Sequence, residues 1–342
     1  MMQTSDFDYH LPVELIAQTP LPRGESRLMV VNRAKNEITH HTFADILHFL
    51  KPEDILVRNN TRVVARRVTG IRESGSPAEV LLLTPLGEKC WTALVKPGKS
   101  IRTGSQLTII PNDNDPTERI IAAVIDIHDD GSRILEFASS EVRDSLLTAG
   151  VSPLPPYIHT LLKDEERYQT VYSKEPGSCA APTAGLHFTD MLISRIQDLG
   201  CGIEDITLHV GIDTFRPVKV QDIGSHVMHG EDFTISESTC EKINSCSGRV
   251  IAVGTTTVRA LESAADQNAK VKAHSGSTHI FITPGYEFKV VDAMLTNFHL
   301  PKSTLIMMIS AFASRELILE AYRIAVAKKY RFFSFGDAML IL

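Results

Sequence analysis

Residues 180–190 read Ala180-Ala181-Pro182-Thr183-Ala184-Gly185-Leu186-His187-Phe188-Thr189-Asp190, one imidazole among small side chains just before a helical pattern. Small residues let backbone amides approach a ligand and a helix N-terminus favours negative charge, so His187 is a candidate acid or base. The competing reading is structural, with Thr183 or Thr189 capping the helix and His187 a satisfied interior histidine. A second segment, Val253-Gly254-Thr255-Thr256-Thr257-Val258-Arg259, is a strand, a glycine turn and three hydroxyls that open a helix. Such a turn can cradle a carboxylate or phosphate with its orphan amides, although N-capping by threonine explains the same letters. His209, His226, His229 and His299 form a third set, with neither H-E-x-x-H nor Cys/His ligand spacing, so no metal site is expected. Proton transfer or hydrogen bonding in a polar cleft stays open to these imidazoles. Finally, residues 296–304 and Ser334-Phe335-Gly336-Asp337 put polar groups where hydrophobic elements begin or end, the places at which α/β sheets bind ligands. For Asp337 the alternative is a turn residue beside Gly336. Arg58, Arg62, Arg66, Arg67 and Arg72 lie close in sequence, as do Lys328, Lys329 and Arg331, either as phosphate contacts or as solvated faces.

These groups need elements to hold them. Residues 54–67 read as two short β-branched strands around the turn Asn59-Asn60-Thr61. From 68 to 138, strands expected at 79–83, 90–95, 106–110, 120–127 and 132–137 alternate with turns such as Asp129-Asp130-Gly131, the pattern of a small sandwich or barrel with a tip loop at 111–116. Pro153-Leu154-Pro155-Pro156-Tyr157 closes that segment, because proline stops both helix and central strand. Beyond it, helices expected at 188–199, 258–265 and 315–329 alternate with strands at 203–210, 249–253 and 332–335, while 305–312 reads as either. The expectation is an α/β fold: a larger α/β domain with a mixed sheet, residues 1–67 and 153–342, interrupted by a small β-barrel insertion domain, residues 68–152.

A chain of 342 residues exceeds the roughly 250–300 at which one core stops growing, which fits two domains. With 43% hydrophobic and 22% charged residues it is neither disordered nor membrane-like in composition. The longest apolar run, 305–312, is far shorter than the ~20 residues of a bilayer span, and no basic region precedes an apolar stretch at the N-terminus. Five cysteines without a C-x-x-C pair fit a reducing compartment, so a cytoplasmic location is expected. A net charge of -6 gives no general attraction to nucleic acid, and an RNA partner must be met by a local patch. Neither G-x-G-x-x-G nor G-x-x-x-x-G-K-[ST] occurs, which removes the main support for dinucleotide and P-loop readings.

Taken in order, Phe7-Asp8-Tyr9-His10-Leu11-Pro12, Ser26-Arg27-Leu28, Asn59-Asn60-Thr61-Arg62-Val63, Pro155-Pro156-Tyr157-Ile158, residues 167–172, residues 180–189, His209-Val210-Gly211, Gly254-Thr255-Thr256, residues 296–304 and residues 330–340 form one series. That series resembles the S-adenosylmethionine:tRNA ribosyltransferase-isomerase family of queuosine biosynthesis over almost the whole chain. Four positions depart from the family pattern: Asn60 for Asp, Asp213 for Gly, Ser314 for Gly, and Phe335 for Tyr.

The resemblance implies an α/β domain interrupted by a small β-barrel. It also implies ribosyl transfer from S-adenosylmethionine to the aminomethyl group of 7-aminomethyl-7-deazaguanine at the tRNA wobble position, giving epoxyqueuosine, adenine and methionine. The sulfonium acidifies the 5′ C–H, so a positioned base could form an ylide and expel adenine without a metal. On this reading proton transfer falls to His187 or Asp337. His299 and Thr183 orient substrate, and Gly185, Thr255 and Thr256 join Thr183 against the cosubstrate. Arg58, Arg62, Lys328, Lys329 and Arg331 meet tRNA phosphates. No tightly bound cofactor, no metal and a monomer are expected. A noncatalytic RNA-binding homologue of the same fold and an ordinary methyltransferase are the competing readings.

Overall fold

Stretches such as Ile55-Leu56-Val57, Val250-Ile251-Ala252-Val253 and Ala293-Met294-Leu295 carry no polar interruption and are buried throughout. Parallel strands covered on both faces require such letters. The computed structural model, which describes residues 2–112, 117–160, 162–211, 218 and 220–342, contains two compact units. One comprises Met1–Thr61, Pro155–Lys174 and Ala181–Leu342, the other Arg62–Leu154 and Glu175–Ala180. The chain thus leaves the larger unit a few residues earlier than the composition change at 68 and, after returning near Pro155, re-enters the smaller one for six residues.

In chain order the strands are β1 (Arg27–Asn32), β2 (Glu37–Thr42), β3 (Ile55–Asn59), β4 (Thr61–Val63), β5 (Arg66–Arg72), β6 (Pro77–Leu86), β7 (Cys90–Lys96), β8 (Gln106–Ile110), β9 (Ile120–Ile127) and β10 (Arg133–Glu136). They continue as β11 (Glu175–Ser178), β12 (Gly202–Leu208), β13 (Glu231–Ile235), β14 (Val250–Val253), β15 (His274–Thr278), β16 (Ala293–Asn297) and β17 (Ala338–Ile341). The helices are α1 (Ser140–Ser145), α2 (Asp190–Asp198), α3 (Glu237–Ser245), α4 (Thr255–Ala264), α5 (Thr304–Ala313) and α6 (Arg315–Ala327).

The larger unit is built on a mixed sheet of order β15-β13-β12-β3-β14-β16-β17-β1-β2, in which β12, β3, β14 and β16 run parallel. One layer of its core joins Leu28, Leu56, Ile251 and Leu295 from the sheet to Phe188, Leu192 and Ile196 beside and along α2. In the smaller unit β10-β7-β6-β5-β8-β9 close into a barrel. Alternate residues of β6 and β7 point inward, Val80 and Leu82 with Trp91, Ala93 and Val95, which is the period-2 pattern a filled barrel needs. Trp91 is fully buried and donates its Nε1–H to the Arg143 carbonyl at 3.2 Å.

Several expectations are corrected here. The two strands expected around Asn59-Asn60-Thr61 are present as β3 and β4, in different sheets: β3 is a central strand of the large sheet, whereas β4 pairs with β11 in a short separate ribbon. Residues 305–312 are helical, because Ser303 accepts a hydrogen bond from the Ile306 amide and caps α5. Residues 332–335 do not form the terminal strand. Phe333 has φ 74 and its carbonyl accepts from the Gly336 amide at 2.8 Å, so the aromatic run is a turn and the strand follows it as β17. The helix expected from 188 begins at Asp190, capped by Thr189. Residues 113–116 of the tip loop and the departure at Asp213 lie outside the described residues.

Candidate active site

The parallel strands β14 and β16 are neighbours, and their carboxyl ends open onto one cleft. The place is where open α/β sheets bind ligands. Its lining comes from the turn at 181–184, Val210 beyond β12, Gly254-Thr255-Thr256 after β14, Thr296 to His299 with Leu305, and Phe333-Ser334 with Tyr157.

Gly254 makes the second segment possible. It sits at φ 92 and its amide donates to the Leu295 carbonyl at 2.8 Å, which ties the turn to the neighbouring strand. As the N-cap of α4 it has no side chain to cap the helix, so the first-turn amides keep their donors for a ligand. Thr257 turns away and donates to the Val253 carbonyl at 2.8 Å, while Thr255 and Thr256 line the cleft. Asn59, at the end of β3, steadies Thr256 through a 3.3 Å contact from Nδ2.

His299 lines the same cleft and is held from every side. Its amide accepts no substitute partner, since it donates to the Tyr322 hydroxyl at 2.8 Å, and its carbonyl accepts from the Tyr9 hydroxyl. The ring Nε2 lies 2.9 Å from Thr296 Oγ1. Burial pushes its pKa down to about 3, so the imidazole is neutral near pH 7. The lining residues contain no carboxylate, and their titratable side chains are His299 and Tyr157. Tyr157, overlooked in the sequence, bonds Ser334 Oγ at 2.6 Å and packs edge-on against Phe333 at 4.0 Å. Its phenol is driven well above its ordinary pKa by burial. A proline-rich context hid this residue, which read there only as a boundary.

The other expected site residues divide. Thr183 lines the cleft, but Gly185 and His187 do not belong to its lining. A Cβ on Gly185 would stand 2.0 Å from the Tyr172 hydroxyl and 2.8 Å from Thr170, so this glycine serves close packing of the turn and not a ligand. His187 is buried against Phe43, ring centroids 4.9 Å apart, with Nδ1 at 3.1 Å from Ser26 Oγ. Desolvation lowers its pKa to about 4, the Asn297 side chain pulling weakly the other way. Its Nε2 and the Asn297 Oδ1 both lack a hydrogen bond among the described residues, although the two side chains influence one another. Asn297, within the 296–304 segment expected to carry polar groups, is fixed by donating Nδ2 to the Phe333 carbonyl at 3.0 Å.

Asp337 is not placed as a base. It is 1% exposed, and its oxygens accept from the Arg27 amide (2.9 Å), Arg27 Nε (3.1 Å) and the Arg331 amide (2.9 Å). It pins the 331–337 turn to the start of β1. Nor is the basic patch assembled as expected. Arg58 is held by Asp205 at 2.6 Å and lies over the Tyr172 ring at 4.1 Å. Arg62 belongs to the smaller unit and is already engaged. Arg331 donates to the Thr19 carbonyl. Lys328 and Lys329 are exposed and make no ion pair among the described residues. No group of side chains suited to a metal ion occurs among the described residues, and no helix there is long and apolar enough to cross a membrane.

Residues 4–341 match the family model described as queuosine biosynthesis protein. The chain is 51% identical to the S-adenosylmethionine:tRNA ribosyltransferase-isomerase of Thermosipho africanus, covering 99% of this chain and all of that one. It is 50% identical to the protein of the same name from Carboxydothermus hydrogenoformans over the whole of both chains. Among solved structures, S-adenosylmethionine tRNA ribosyltransferase from Thermotoga maritima matches with a TM-score of 0.57 at 38% identity, covering 99% of this chain and 100% of that one.

Proposed function

The chain belongs to the S-adenosylmethionine:tRNA ribosyltransferase-isomerase family of queuosine biosynthesis, and from that premise we propose that the cleft above β14 and β16 is where S-adenosylmethionine binds. The protein is a transferase that moves and isomerises the ribosyl group of S-adenosylmethionine onto 7-aminomethyl-7-deazaguanine at the tRNA wobble position. Epoxyqueuosine forms, and adenine and methionine leave. The observation that carries the cleft assignment is the uncapped N-terminus of α4 behind Gly254, with Thr255 and Thr256 beside it. Free amides and hydroxyls suit the methionyl carboxylate, which brings one negative charge to the positive end of a helix. The apolar lining, Pro182, Val210, Leu305 and Phe333 with Tyr157, suits the faces of a purine. Thr183 orients the substrate from the opposite segment.

His187 enters this reading as a neutral imidazole packed between Phe43 and Ser26, and Asp337 as the anchor of the 331–337 turn. Neither lines the cleft, so the proton at carbon 5′ is not assigned to either of them. Lys328 and Lys329 are the exposed cations retained for tRNA phosphates, with Arg58 and Arg331 committed to internal partners. No tightly bound cofactor is required for this chemistry, and the protein acts as a cytoplasmic monomer.

The test is incubation of the purified protein with S-adenosylmethionine and tRNA carrying 7-aminomethyl-7-deazaguanine, followed by mass spectrometry of small molecules and digested nucleosides. Adenine, methionine and epoxyqueuosine together are expected. Binding of the anticodon stem-loop without adenine release would instead favour a noncatalytic RNA-binding homologue, and S-adenosylhomocysteine a methyltransferase. For the cleft itself, Thr255→Val combined with Thr256→Val is expected to raise KM for S-adenosylmethionine about tenfold or more, two lost hydrogen bonds to a charged group, with KM for tRNA little changed.

A further inference from the structure

His299 is 7% exposed and lines the cleft, yet one of its two ring nitrogens is already assigned. Thr296 Oγ1 lies 2.9 Å from Nε2, and this hydroxyl has no other hydrogen-bond partner among the described residues. Thr296 can donate to Nε2, and in the tautomer that accepts there the neutral ring carries its own proton on Nδ1. That nitrogen has no partner among the described residues. The backbone leaves the ring little freedom, because Tyr322 and Tyr9 hold the His299 amide and carbonyl and Lys302 donates from its amide to the Phe7 carbonyl at 3.0 Å. In that tautomer an uncharged N–H donor is presented inside a lining that contains no carboxylate.

We propose that His299 is a catalytic hydrogen-bond donor, its Nδ1–H directed at a ring nitrogen of the departing adenine. The inference rests on the reading of the cleft as the S-adenosylmethionine site. In the step concerned the C1′–N9 bond breaks and its electron pair passes to adenine, whose ring nitrogens N3 and N7 share the developing charge. One of the protons the reaction releases then neutralises the base. His299 keeps its proton throughout and lowers the barrier by meeting charge that grows in the transition state, a role a neutral imidazole fills without becoming an acid. Thr296 is a positioning residue that holds the tautomer.

The experiment compares wild type, His299→Gln and His299→Leu in single-turnover adenine release. The substrates are S-adenosylmethionine and its 3-deaza- and 7-deazaadenine analogues, with saturating tRNA that carries 7-aminomethyl-7-deazaguanine. Removing one such donor is expected to slow release by roughly 100-fold in His299→Leu, less in His299→Gln, which keeps an N–H. The decisive quantity is the ratio of ratios. For the analogue lacking the contacted nitrogen, the wild-type penalty should exceed the His299→Leu penalty by about tenfold, while intrinsic leaving ability cancels. Equal penalties in wild type and variant for both analogues would overturn the assignment and leave His299 a contact to the ribosyl or deazaguanine oxygens. Because wild type must first release adenine from S-adenosylmethionine, failure of the cleft reading itself shows separately, as no release or as unchanged S-adenosylmethionine KM in the Thr255/Thr256 double variant. Thr296→Val should lower kcat with little change in KM, and Thr296→Ser should restore it, a split that simple loss of packing would not give.

Discussion

Asp337→Ala removes a carboxylate that accepts three hydrogen bonds, from the Arg27 amide, Arg27 Nε and the Arg331 amide. Hydrogen bonds to a charged group are worth about 1.5–3 kcal/mol each in isolation, and they share one carboxylate, so the loss is expected near about 3 kcal/mol in denaturant unfolding. Turnover at saturating substrates, measured below the variant's unfolding range, should stay within about threefold of wild type. A drop of two orders of magnitude at unchanged stability would restore the carboxylate to the chemistry. The two buried histidines give a pH signature of their own. His187 and His299 have folded pKa values lowered to about 4 and about 3, whereas the unfolded chain titrates near about 6.5. The unfolded state binds the extra protons between those limits, so these groups contribute full stability above about pH 6.5 and lose it as pH falls toward 4 and then 3. Unfolding midpoints measured from pH 7 to pH 4.5 should therefore decline, and His187→Gln should flatten that decline by about 1.4 kcal/mol per pH unit at most.

At the level of elements, the joint between α5 and α6 is a single residue, Ser314, at φ 77 and ψ 143. Backbone there is almost reserved for glycine, the residue the family pattern carries, and a side chain costs roughly 1–3 kcal/mol. Ser314 returns part of that by accepting from the Leu317 amide at 3.3 Å as the cap of α6. Replacing a serine cap by glycine costs only a few tenths of a kcal/mol, so Ser314→Gly is expected to raise stability by about 1 kcal/mol, read as a higher denaturant midpoint at constant slope. Gly185→Ala should do the reverse, because its Cβ would meet the Tyr172 hydroxyl at 2.0 Å; the overpacking is expected to cost about 1–3 kcal/mol. The Asn60 departure explains itself differently: Oδ1 accepts from the Thr207 hydroxyl at 2.7 Å, a bond that an aspartate would make equally well.

These elements also show what a linear reading can and cannot reach. The Gly254 turn was legible because an aliphatic strand, one glycine and three hydroxyls have few ways to continue, and positive φ is among the cheapest. The barrel was legible from period-2 strands and turn chemistry. Asp337 was not, since its partner Arg27 is 310 residues away and nothing local distinguishes an anchor from a base. His187 failed for a related reason: in a tight turn of small residues, one residue faces the cleft and the next its floor, and only the packing of Phe43 and Ser26 decides which. The 332–335 run reads as a strand because aromatic residues favour sheets, whereas here each ring packs on a different neighbour: Phe332 on Phe298 and Tyr322, Phe333 on Tyr157 and Phe335 on Tyr168.

For the molecule as a whole, the question is how a chain of net charge -6 holds a polyanion. Cations spent on internal partners cannot also neutralise phosphates, which removes Arg58, bound to Asp205, and Arg331, bound to the Thr19 carbonyl, from the tally. Lys328 and Lys329 follow the end of α6, their carbonyls occupied by Arg27 while their ammonium groups stay exposed. If both meet phosphates, each neutralised phosphate releases counterions, and log affinity for tRNA should fall with log salt by about 0.7–0.9 per contact. The double charge reversal Lys328→Glu, Lys329→Glu is then expected to weaken tRNA binding at low salt and to reduce that slope by about 1.4–1.8, the difference shrinking as salt is raised. S-adenosylmethionine KM should not move, because both lysines lie outside the cleft lining. An unchanged slope would mean that the phosphates are met elsewhere, and the same salt titration on single reversals of other exposed cations would then find where.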